Sequence, residues 1–279
     1  LAGGVFLNGV INNKILKETE IENVFVPPFC DDTGQSIGNA LYGYYHHFNY
    51  SNRFKLKNAY FGREYTEDEI LDVLEKKQIK YVLPYSVKSF DFNYKKSKNI
   101  EMDTAKILAE GNIIGWFQGG SEIGPRALGH RSILCAPYPN EMKDKINAEI
   151  KHREMFRPFA PAILEEKVNE YFELNIPSPY MLNIGQAKEE NAKKIPATLH
   201  VDSTGRVQTV NKVDNDKFYN LLVEFYNITN VPVLLNTSFN RGGEPIVESP
   251  KDALVMFCNT PMDYLILNDY IIWKGENNI

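Results

Sequence analysis

Short apolar runs alternate with amphipathic helical segments through the last two thirds of this chain, and this alternation constrains the fold more than any other feature. The clearest runs are IIGWF at 113–117, FAPAIL at 159–164 and VPVLL at 231–235. Such short apolar runs are typical of buried strands. NDKFYNLLVEFYNIT at 215–229 has the apolar period of an amphipathic helix. The sequence therefore predicts an α/β fold with a twisted mixed sheet.

Two further helices are predicted from the way they start. In TEDEILDVLEKK at 66–77, Thr66 precedes Glu69 by the spacing of a capping box, and apolar residues follow at helical intervals. In SPKDALVMFCN at 249–259, Pro250 occupies the first turn, where a backbone N–H has no helical partner in any case.

A change in composition divides the chain. NYKKSKN at 93–99 is polar and basic and has no hydrophobic period, which is typical of a loop. We therefore predict two units, residues 1–95 and residues 96–279. The first unit starts without Met in the apolar stretch LAGGVFLNGV. This start predicts a short strand and a chain that is part of a longer protein.

The overall balance of residues disfavours several classes of protein. The 31 basic and 36 acidic residues give a net charge of -5, which argues against a general nucleic-acid binder. No apolar run approaches the roughly 18 residues that span a bilayer. The three cysteines, Cys30, Cys135 and Cys258, form no CxxC pair, which favours buried structural thiols in a reducing compartment. We expect a cytoplasmic protein.

GPRALGHRS at 124–132 places two arginines and a histidine on backbone whose glycines and proline disfavour a helix interior. Further basic residues of the second unit follow predicted strands or glycines. Guanidinium groups bind phosphate oxygens bidentately, lysine adds a point charge, and glycines let backbone N–H groups approach. The pattern predicts an anion site. Its basic candidates are Arg126, His130, Arg131, Lys151, Arg153, Arg157 and Arg206.

The apolar strand VPVLL opens into NTSFN at 236–240, which presents amides and hydroxyls at the carboxyl end of the strand. Ligands of open α/β sheets bind at that end, so Asn236, Ser238 and Asn240 are candidate contacts. The chain has neither a GxxxxGK[ST] motif nor a strand-linked GxGxxG. A nucleotide would therefore depend on dispersed side chains. The simpler alternatives are that single arginines are solvated, that His130 ends a helix, and that NTSFN is a polar turn.

Two long stretches resemble the C-terminal half of the O-carbamoyltransferases that modify antibiotics and nodulation factors. They are GWFQGGSEIGPRALGHRSILCAPYPNEMKDKINAEIKHREMFRPFAPAILEE and LLNTSFNRGGEPIVESPKDAL. The second unit resembles the YrdC-like domain of that family. GGVFLN and PPFCDDTGQSIGNAL resemble the end of its actin-like (ASKHA) domain. The resemblance implies a partial actin-like unit followed by a YrdC-like domain.

The resemblance also implies a two-stage reaction. The YrdC-like domain would convert carbamoyl phosphate and ATP to carbamoyl adenylate, and the actin-like domain would pass the carbamoyl group to a hydroxyl of a small-molecule acceptor. By the family's motifs, Arg126, Lys151 and Arg157 would be catalytic, and the basic and amide candidates together would bind carbamoyl phosphate and ATP. Mg²⁺ would bridge the ATP phosphates. KxR at Lys151 with SxN at Ser238 also resembles the signature of threonylcarbamoyl-adenylate synthases.

In the first unit, the resemblance implies that Gly3, Gly4 and Asn8 form a nucleotide-contacting loop and that Asp32 is a metal ligand. The Fe²⁺ site of the family also needs an HxxxH pair, which none of the five histidines provides. Without the N-terminal half of the protein, we therefore expect no bound iron and no complete transfer. Asp32 would then cap a helix.

Two other interpretations stay open. YrdC-like domains have a concave basic face that suits RNA, which would make the chain an RNA-binding module without catalysis. The acidic total and the pairing of SxN with KxR favour small phosphates instead. The third interpretation is a folded fragment that is inert because contacts from the rest of the protein are missing.

Overall fold

The computed structural model describes residues 1–76, 81–83, 86–88 and 91–275. Its strands are β1 (Tyr81–Leu83), β2 (Ser86–Lys88), β3 (Asn93–Lys96), β4 (Ile114–Phe117), β5 (Arg131–Cys135), β6 (Ala160–Leu164), β7 (Phe172–Glu173), β8 (Asn183–Ala187), β9 (Thr204–Val210), β10 (Val233–Ser238), β11 (Tyr264–Leu267) and β12 (Tyr270–Trp273). Its α-helices are α1 (Gly9–Glu18), α2 (Gln35–Tyr42), α3 (Glu67–Glu75), α4 (Ile100–Ala109), α5 (Glu141–Lys145), α6 (Val168–Tyr171), α7 (Glu189–Ala192), α8 (Asp216–Thr229) and α9 (Pro250–Cys258). The 3₁₀ turns are Gly4–Leu7, Asp32–Gly34, Glu165–Lys167 and Pro196–Thr198, and the π-helical turns are Gly43–His47 and Ile146–Lys151.

Strands β3 to β12 form one mixed sheet in the order β3-β12-β11-β4-β5-β10-β6-β9-β8-β7. The neighbours β4 and β11 run parallel, as do β6 and β9, and the remaining neighbours run antiparallel. β1 and β2 form a separate antiparallel pair. The predicted α/β fold with a mixed sheet is confirmed.

Alternate residues of the central strands pack on opposite faces of the sheet, because side chains along a strand alternate in direction. On one face, Trp116 and Leu234 belong to a buried cluster that includes α4 and α8. On the other face, Phe117 and Leu235 belong to a cluster that includes α3 and α9. Each fully buried side chain of this size is worth about 1.5–3 kcal/mol relative to exposure. Helices therefore cover both faces of the sheet.

The predicted helix starts are confirmed at atomic detail. The Thr66 hydroxyl accepts from the Glu69 N–H, and the Glu69 carboxylate accepts from the Thr66 N–H at 2.9 Å, which completes the capping box of α3. Pro250 is the first residue of α9, and Ser249 and Asp252 form a second capping box there. Lys77, the last residue of the predicted helix at 66–77, lies outside the described residues.

Two expectations about local structure are wrong. The apolar start of the chain is not a strand: Gly4–Leu7 is a 3₁₀ turn, and Asn8 caps α1 by accepting from the Val10 N–H. The stretch 93–99 is not all loop, because β3 pairs with β12 at the edge of the sheet. An edge strand with exposed, lysine-rich side chains carries no hydrophobic period, which explains the error. The division at residue 95 stays a prediction.

The sequence also gives expectations about membrane crossing and about the cysteine thiols. Among the described helices, none combines the length and the apolar composition needed to cross a bilayer. Cys30 and Cys135 are buried free thiols, and Cys258 is partly buried. Burial raises the pKa of the Cys135 thiol, which suits a packing role.

The antiparallel ladders bring several chain segments to one edge of the sheet. Phe117 at the end of β4 lies opposite Arg131 at the start of β5, and Ser238 at the end of β10 lies opposite Ser132. On the other side of β10, Asn236 lies opposite Ala160 at the start of β6. β9 runs parallel to β6 and therefore starts at the same edge. The loops that carry most of the predicted anion ligands meet there.

A substitution at Gly129 tests the backbone conformation and packing at this edge of the sheet. The φ of Gly129 is +108°, and a Cβ atom there would lie 2.3 Å from Cδ1 of buried Phe218. Gly129→Ala should lower the free energy of unfolding by about 2–4 kcal/mol, from backbone strain and overpacking. Gly38→Ala is the matched control, since a Cβ atom in the middle of α2 meets nothing within 4 Å. It should be neutral or stabilising by up to about 1 kcal/mol. Equal losses in urea unfolding would contradict the prediction.

Candidate anion-binding site

The segment between β4 and β5, residues 118–130, carries Arg126 and is called here the arginine loop. Its backbone turns at Gly124 and Gly129, whose φ values of +99° and +108° favour glycine. The indole N–H of Trp116 donates to the Gly129 carbonyl at 2.9 Å, which ties the end of the loop to the sheet. The loop also contacts the first unit, because a Cβ atom on Gly124 would lie 2.2 Å from the Pro28 carbonyl oxygen.

Arg126 and Arg206 are half-buried guanidinium groups, and the charge of Arg126 acts on Arg206. Burial lowers the pKa of Arg126. Burial, followed by the positive charges of Arg126, Arg153 and Arg157, lowers the pKa of Arg206 to about 9. The Nε atoms of Arg126 and Arg206 are buried and have no hydrogen-bond partner in the described part of the chain. Cations from three separate segments therefore lie close enough to repel one another.

Lys151 ends the π-helical turn before β6 and is only 3% exposed. Its Nζ donates to the Ser238 carbonyl, and it lies 2.8 Å from both the carbonyl and Oδ1 oxygens of Asn240. These oxygens favour the ammonium form. Burial and the charges of Arg153 and Arg157 act in the opposite direction and lower the pKa of Lys151 to about 7. Ser238 and Asn240 thus hold the Lys151 side chain at the end of β10. Its pKa of about 7 means that the charged and neutral forms are similarly populated near pH 7.

Arg126, Arg206 and Lys151 are called here the cationic group, and Arg153 and Arg157 extend it towards solvent. Arg153 Nε donates to Asn147 Oδ1 at 2.7 Å, and its guanidinium carbon lies 4.7 Å from the centre of the Phe159 ring. Burial, and then the charge of Arg157, lower the pKa of Arg153 to about 10. Arg157 is exposed and lies 3.7 Å from the Glu154 carboxylate. Glu154 therefore neutralises part of the charge at the rim.

Three amide and hydroxyl candidates divide into two roles. Ser238 and Asn240 hold Lys151, and the Ser238 hydroxyl also donates to Asn240 Oδ1 at 2.6 Å. Asn236 is 1% exposed, and its Nδ2 donates to Gln208 Oε1 at 2.7 Å and to the Ala127 carbonyl at 3.3 Å. Asn236 therefore joins β10 to the arginine loop at Ala127.

Arg131 does not join the cationic group. It is fully buried, and its guanidinium lies 3.5 Å from the centre of the Phe117 ring. It donates to the carbonyls of Gln118 at 2.6 Å and Arg63 at 3.3 Å. The expected contact between Arg131 and a substrate is therefore corrected to a structural role, because main-chain carbonyls and an aromatic ring already occupy the guanidinium.

His130 is also engaged in packing. Its ring stacks on Tyr60 with centroids 3.7 Å apart, and Nδ1 lies 2.7 Å from the Gly120 carbonyl. Burial lowers the pKa of His130, which favours the neutral ring. The expected substrate contact of His130 stays a prediction, and the stacking on Tyr60 braces the loop against the first unit. The expectation that His130 ends a helix fails, because Arg131 directly after it starts β5.

Two cavities flank the cationic group. One of about 420 Å³ is lined by Gly124 and Pro125 of the arginine loop and by Ser238 and Asn240. The other, of about 250 Å³, contains Arg206, together with residues of both units. The members of its wall are Leu7, Asn8, Gly9, Val10, Pro158, Phe159, Ile184, His200 and Arg206.

The predicted site residues of the first unit are separated by the fold. Gly3 and Asp32 line a third cavity of about 350 Å³, whereas Asn8 caps α1 and lines the cavity of Arg206. Gly4 starts the intervening 3₁₀ turn. Asp31, not Asp32, caps the next helical turn, since its carboxylate accepts from the Thr33 N–H at 3.2 Å. Within the ranges that the structure describes, no group of three His, Cys, Asp or Glu side chains could hold a metal ion.

Two residues that hold the arginine loop are not among the predicted site residues. Glu122 accepts backbone N–H bonds from the arginine loop, and Tyr60 donates its hydroxyl hydrogen to the Leu128 carbonyl at 3.0 Å. A signal for Glu122 existed, because a lone carboxylate directly precedes the glycine-rich and arginine-rich stretch. Tyr60 had none, since its contact spans 68 positions in the sequence.

Comparison with known proteins assigns most of the chain to two family models. One, described as the carbamoyltransferase C-terminus, matches residues 105–274, and another, described as the carbamoyltransferase N-terminus, matches residues 1–41. The structure of full-length HypF in its phosphate- and nucleotide-bound form is 20% identical, with a TM-score of 0.43, over 64% of this chain and 22% of that chain.

Curated relatives match nearly the whole chain. Nodulation protein NolO of Bradyrhizobium diazoefficiens is 37% identical over 98% of this chain and 49% of its own length. Uncharacterized protein sll1178 of Synechocystis is 40% identical over 98% of this chain and 47% of its own length. Nodulation protein U of Sinorhizobium fredii is 35% identical over 91% of this chain and 41% of its own length. The chain thus spans about half the length of such relatives, or less.

The geometry predicts proton-linked anion binding. A bound dianion beside Lys151 should favour its ammonium form, whereas the free side chain loses its proton above about pH 7. Sulfate stays dianionic throughout, so its affinity should fall as the pH rises from 6.5 to 8.5, by up to about tenfold per pH unit. Calorimetry in two buffers of different ionisation enthalpy should show proton uptake at pH 8. Lys151→Gln should remove both effects, and a variant that keeps them would contradict this assignment.

Proposed function

Because the chain belongs to the carbamoyltransferase family, we propose that the cationic group at Arg126, Lys151 and Arg206 binds carbamoyl phosphate and the phosphates of ATP. The second unit then forms carbamoyl adenylate from carbamoyl phosphate, ATP and water, and releases inorganic phosphate and pyrophosphate. Transfer to a hydroxyl of a small-molecule acceptor belongs to the whole protein, of which the chain matches about half in its relatives.

One observation carries this proposal: the partly buried cations repel one another, and most of them form no ion pair with a carboxylate of the described residues. In the ranges that the structure describes, the ion pairs include Arg157 but not Arg126, Lys151, Arg153 or Arg206. Placing like charges together in a partly buried site raises the free energy of the free protein. A small polyanion relieves that repulsion, and both proposed substrates are polyanions.

The chemistry of the proposed reaction fits the same groups. Negative charge develops on phosphate oxygens during displacement, and cations already in place stabilise that charge without reorganising. The buried Nε donors of Arg126 and Arg206 have hydrogen-bonding capacity to spare. Lys151, held at the end of β10, can gain a proton as negative charge accumulates. Mg²⁺, when bound with ATP, would neutralise part of the polyphosphate charge.

Lys151 tests the catalytic proposal. Lys151→Ala should abolish the carbamoyl phosphate-dependent exchange of pyrophosphate into ATP, because it removes the cation held between Ser238 and Asn240. Thermal unfolding should show that the variant still folds. Lys98→Ala, which changes an exposed lysine, should exchange as the native protein does. Normal exchange by Lys151→Ala would remove the residue from the mechanism. Salt-dependent RNA binding without exchange would favour the RNA-binding alternative.

Arg126 tests the binding proposal separately. Arg126→Ala should weaken the binding of carbamoyl phosphate by about 2–3 kcal/mol, the worth of a charge-assisted hydrogen bond to a partly buried cation. Arg53→Ala removes the same charge at an exposed position of the first unit and should leave the dissociation constant unchanged. Calorimetric titration measures both. Equal affinities for the two variants would show that Arg126 does not contact the anion.

A further inference from the structure

A carboxylate lies inside the arginine loop, where a purely electrostatic anion site would exclude it. Glu122 Oε1 accepts the backbone N–H groups of Leu128 at 2.6 Å, His130 at 2.7 Å and Arg131 at 3.3 Å. We propose that Glu122 is a positioning residue that folds the loop and thereby sets the place of Arg126. This inference rests on the proposed function for its effect on substrate binding, although the folding of the loop can be tested without it.

The Leu128 and His130 N–H groups precede β5, and the Arg131 N–H belongs to its first residue. Backbone donors in a buried loop need an acceptor, and leaving one unpaired costs about 1–3 kcal/mol. A single carboxylate oxygen supplies that acceptor for all three groups, which closes residues 122–131 into a compact turn. The bonds from Leu128 and His130 are short, and the bond from Arg131 at 3.3 Å is the weakest of the three.

The carbonyl groups next to Arg126 are fixed from the other side. The Ala127 carbonyl accepts from Asn236 Nδ2, and the Leu128 carbonyl accepts from Gln208 Nε2 at 2.8 Å. The peptide units that follow Arg126 are therefore held by Glu122 on their N–H side and by the sheet on their carbonyl side. The Arg126 guanidinium lies close enough to Arg206 for its charge to lower the pKa of Arg206.

The two possible roles of Glu122 make opposite predictions. If the carboxylate acted only through its charge, its removal would strengthen anion binding, because a negative charge would be lost beside the cations. If it positions the loop, its removal should weaken anion binding although the site becomes more positive. The direction of the change therefore separates the two roles.

The experiment compares carbamoyl phosphate binding by Glu122→Gln, Glu122→Ala and the native chain, with unfolding curves for each. Glu122→Ala should raise the dissociation constant about tenfold or more at a temperature where the protein stays folded. Glu122→Gln keeps a carbonyl oxygen in place of Oε1 and should recover part of the loss, since neutral acceptors make weaker hydrogen bonds. Glu149→Gln makes the same change on an exposed glutamate near Lys151 and should not weaken binding.

Hydrogen exchange of the Leu128, His130 and Arg131 amides gives a readout that does not depend on a substrate. Glu122→Ala should increase exchange at these amides, and Glu149→Gln should not. Unchanged exchange, or carbamoyl phosphate binding as tight as native in Glu122→Ala, would overturn the positioning role. A native chain that binds no carbamoyl phosphate would overturn the proposed function instead, and the exchange measurement would still decide the role of Glu122.

Discussion

The antiparallel pairing of β10 between β5 and β6 determines where the cationic side chains lie. With β5 and β6 both running opposite to β10, their first residues meet the last residues of β10 at one edge. The arginine loop precedes β5, and the segment with Lys151 and Arg157 precedes β6. The SxN motif begins at Ser238, the last residue of β10. Residues that are far apart in the sequence thus converge because of strand order, and no local property of their segments would bring them together.

Bringing these cations together raises the free energy of the folded protein. The groups that contact each cation offset this increase to different degrees. Lys151 has oxygen acceptors around its Nζ, and Arg153 lies over an aromatic ring. Arg131 is surrounded by main-chain carbonyls, so its buried charge is fully satisfied. Arg126 and Arg206 keep buried Nε donors without partners. Among these cations, the buried donors that lack an acceptor are therefore those of Arg126 and Arg206. This arrangement is expected where a ligand supplies the missing acceptors.

The sequence could predict elements whose signals are local, and it failed where the deciding contact is distant. The capping box at Thr66 and the apolar runs that alternate with helices depend on neighbouring residues, and both predictions were confirmed. Arg126 and Arg131 lie five positions apart in one motif, yet only Arg126 joins the cationic group. Arg131 is the first residue of β5, and its side chain enters the core over Phe117. Spacing alone could not separate them, since the difference arises from strand register.

The arginine loop is shared by both units, so the division near residue 95 does not separate their functions. The Ile123 N–H donates to the Ala59 carbonyl at 2.7 Å, and the Gly62 N–H donates to the Ser121 carbonyl at 2.9 Å. These bonds pair a segment of the first unit with the outer side of the loop, while Glu122 and the sheet hold its inner side. Gly120 packs so closely on this segment that a Cβ atom would lie 2.5 Å from the Gly62 carbonyl oxygen. A displacement of the first unit would therefore reach the backbone that carries Arg126, because packed groups at such distances cannot move independently.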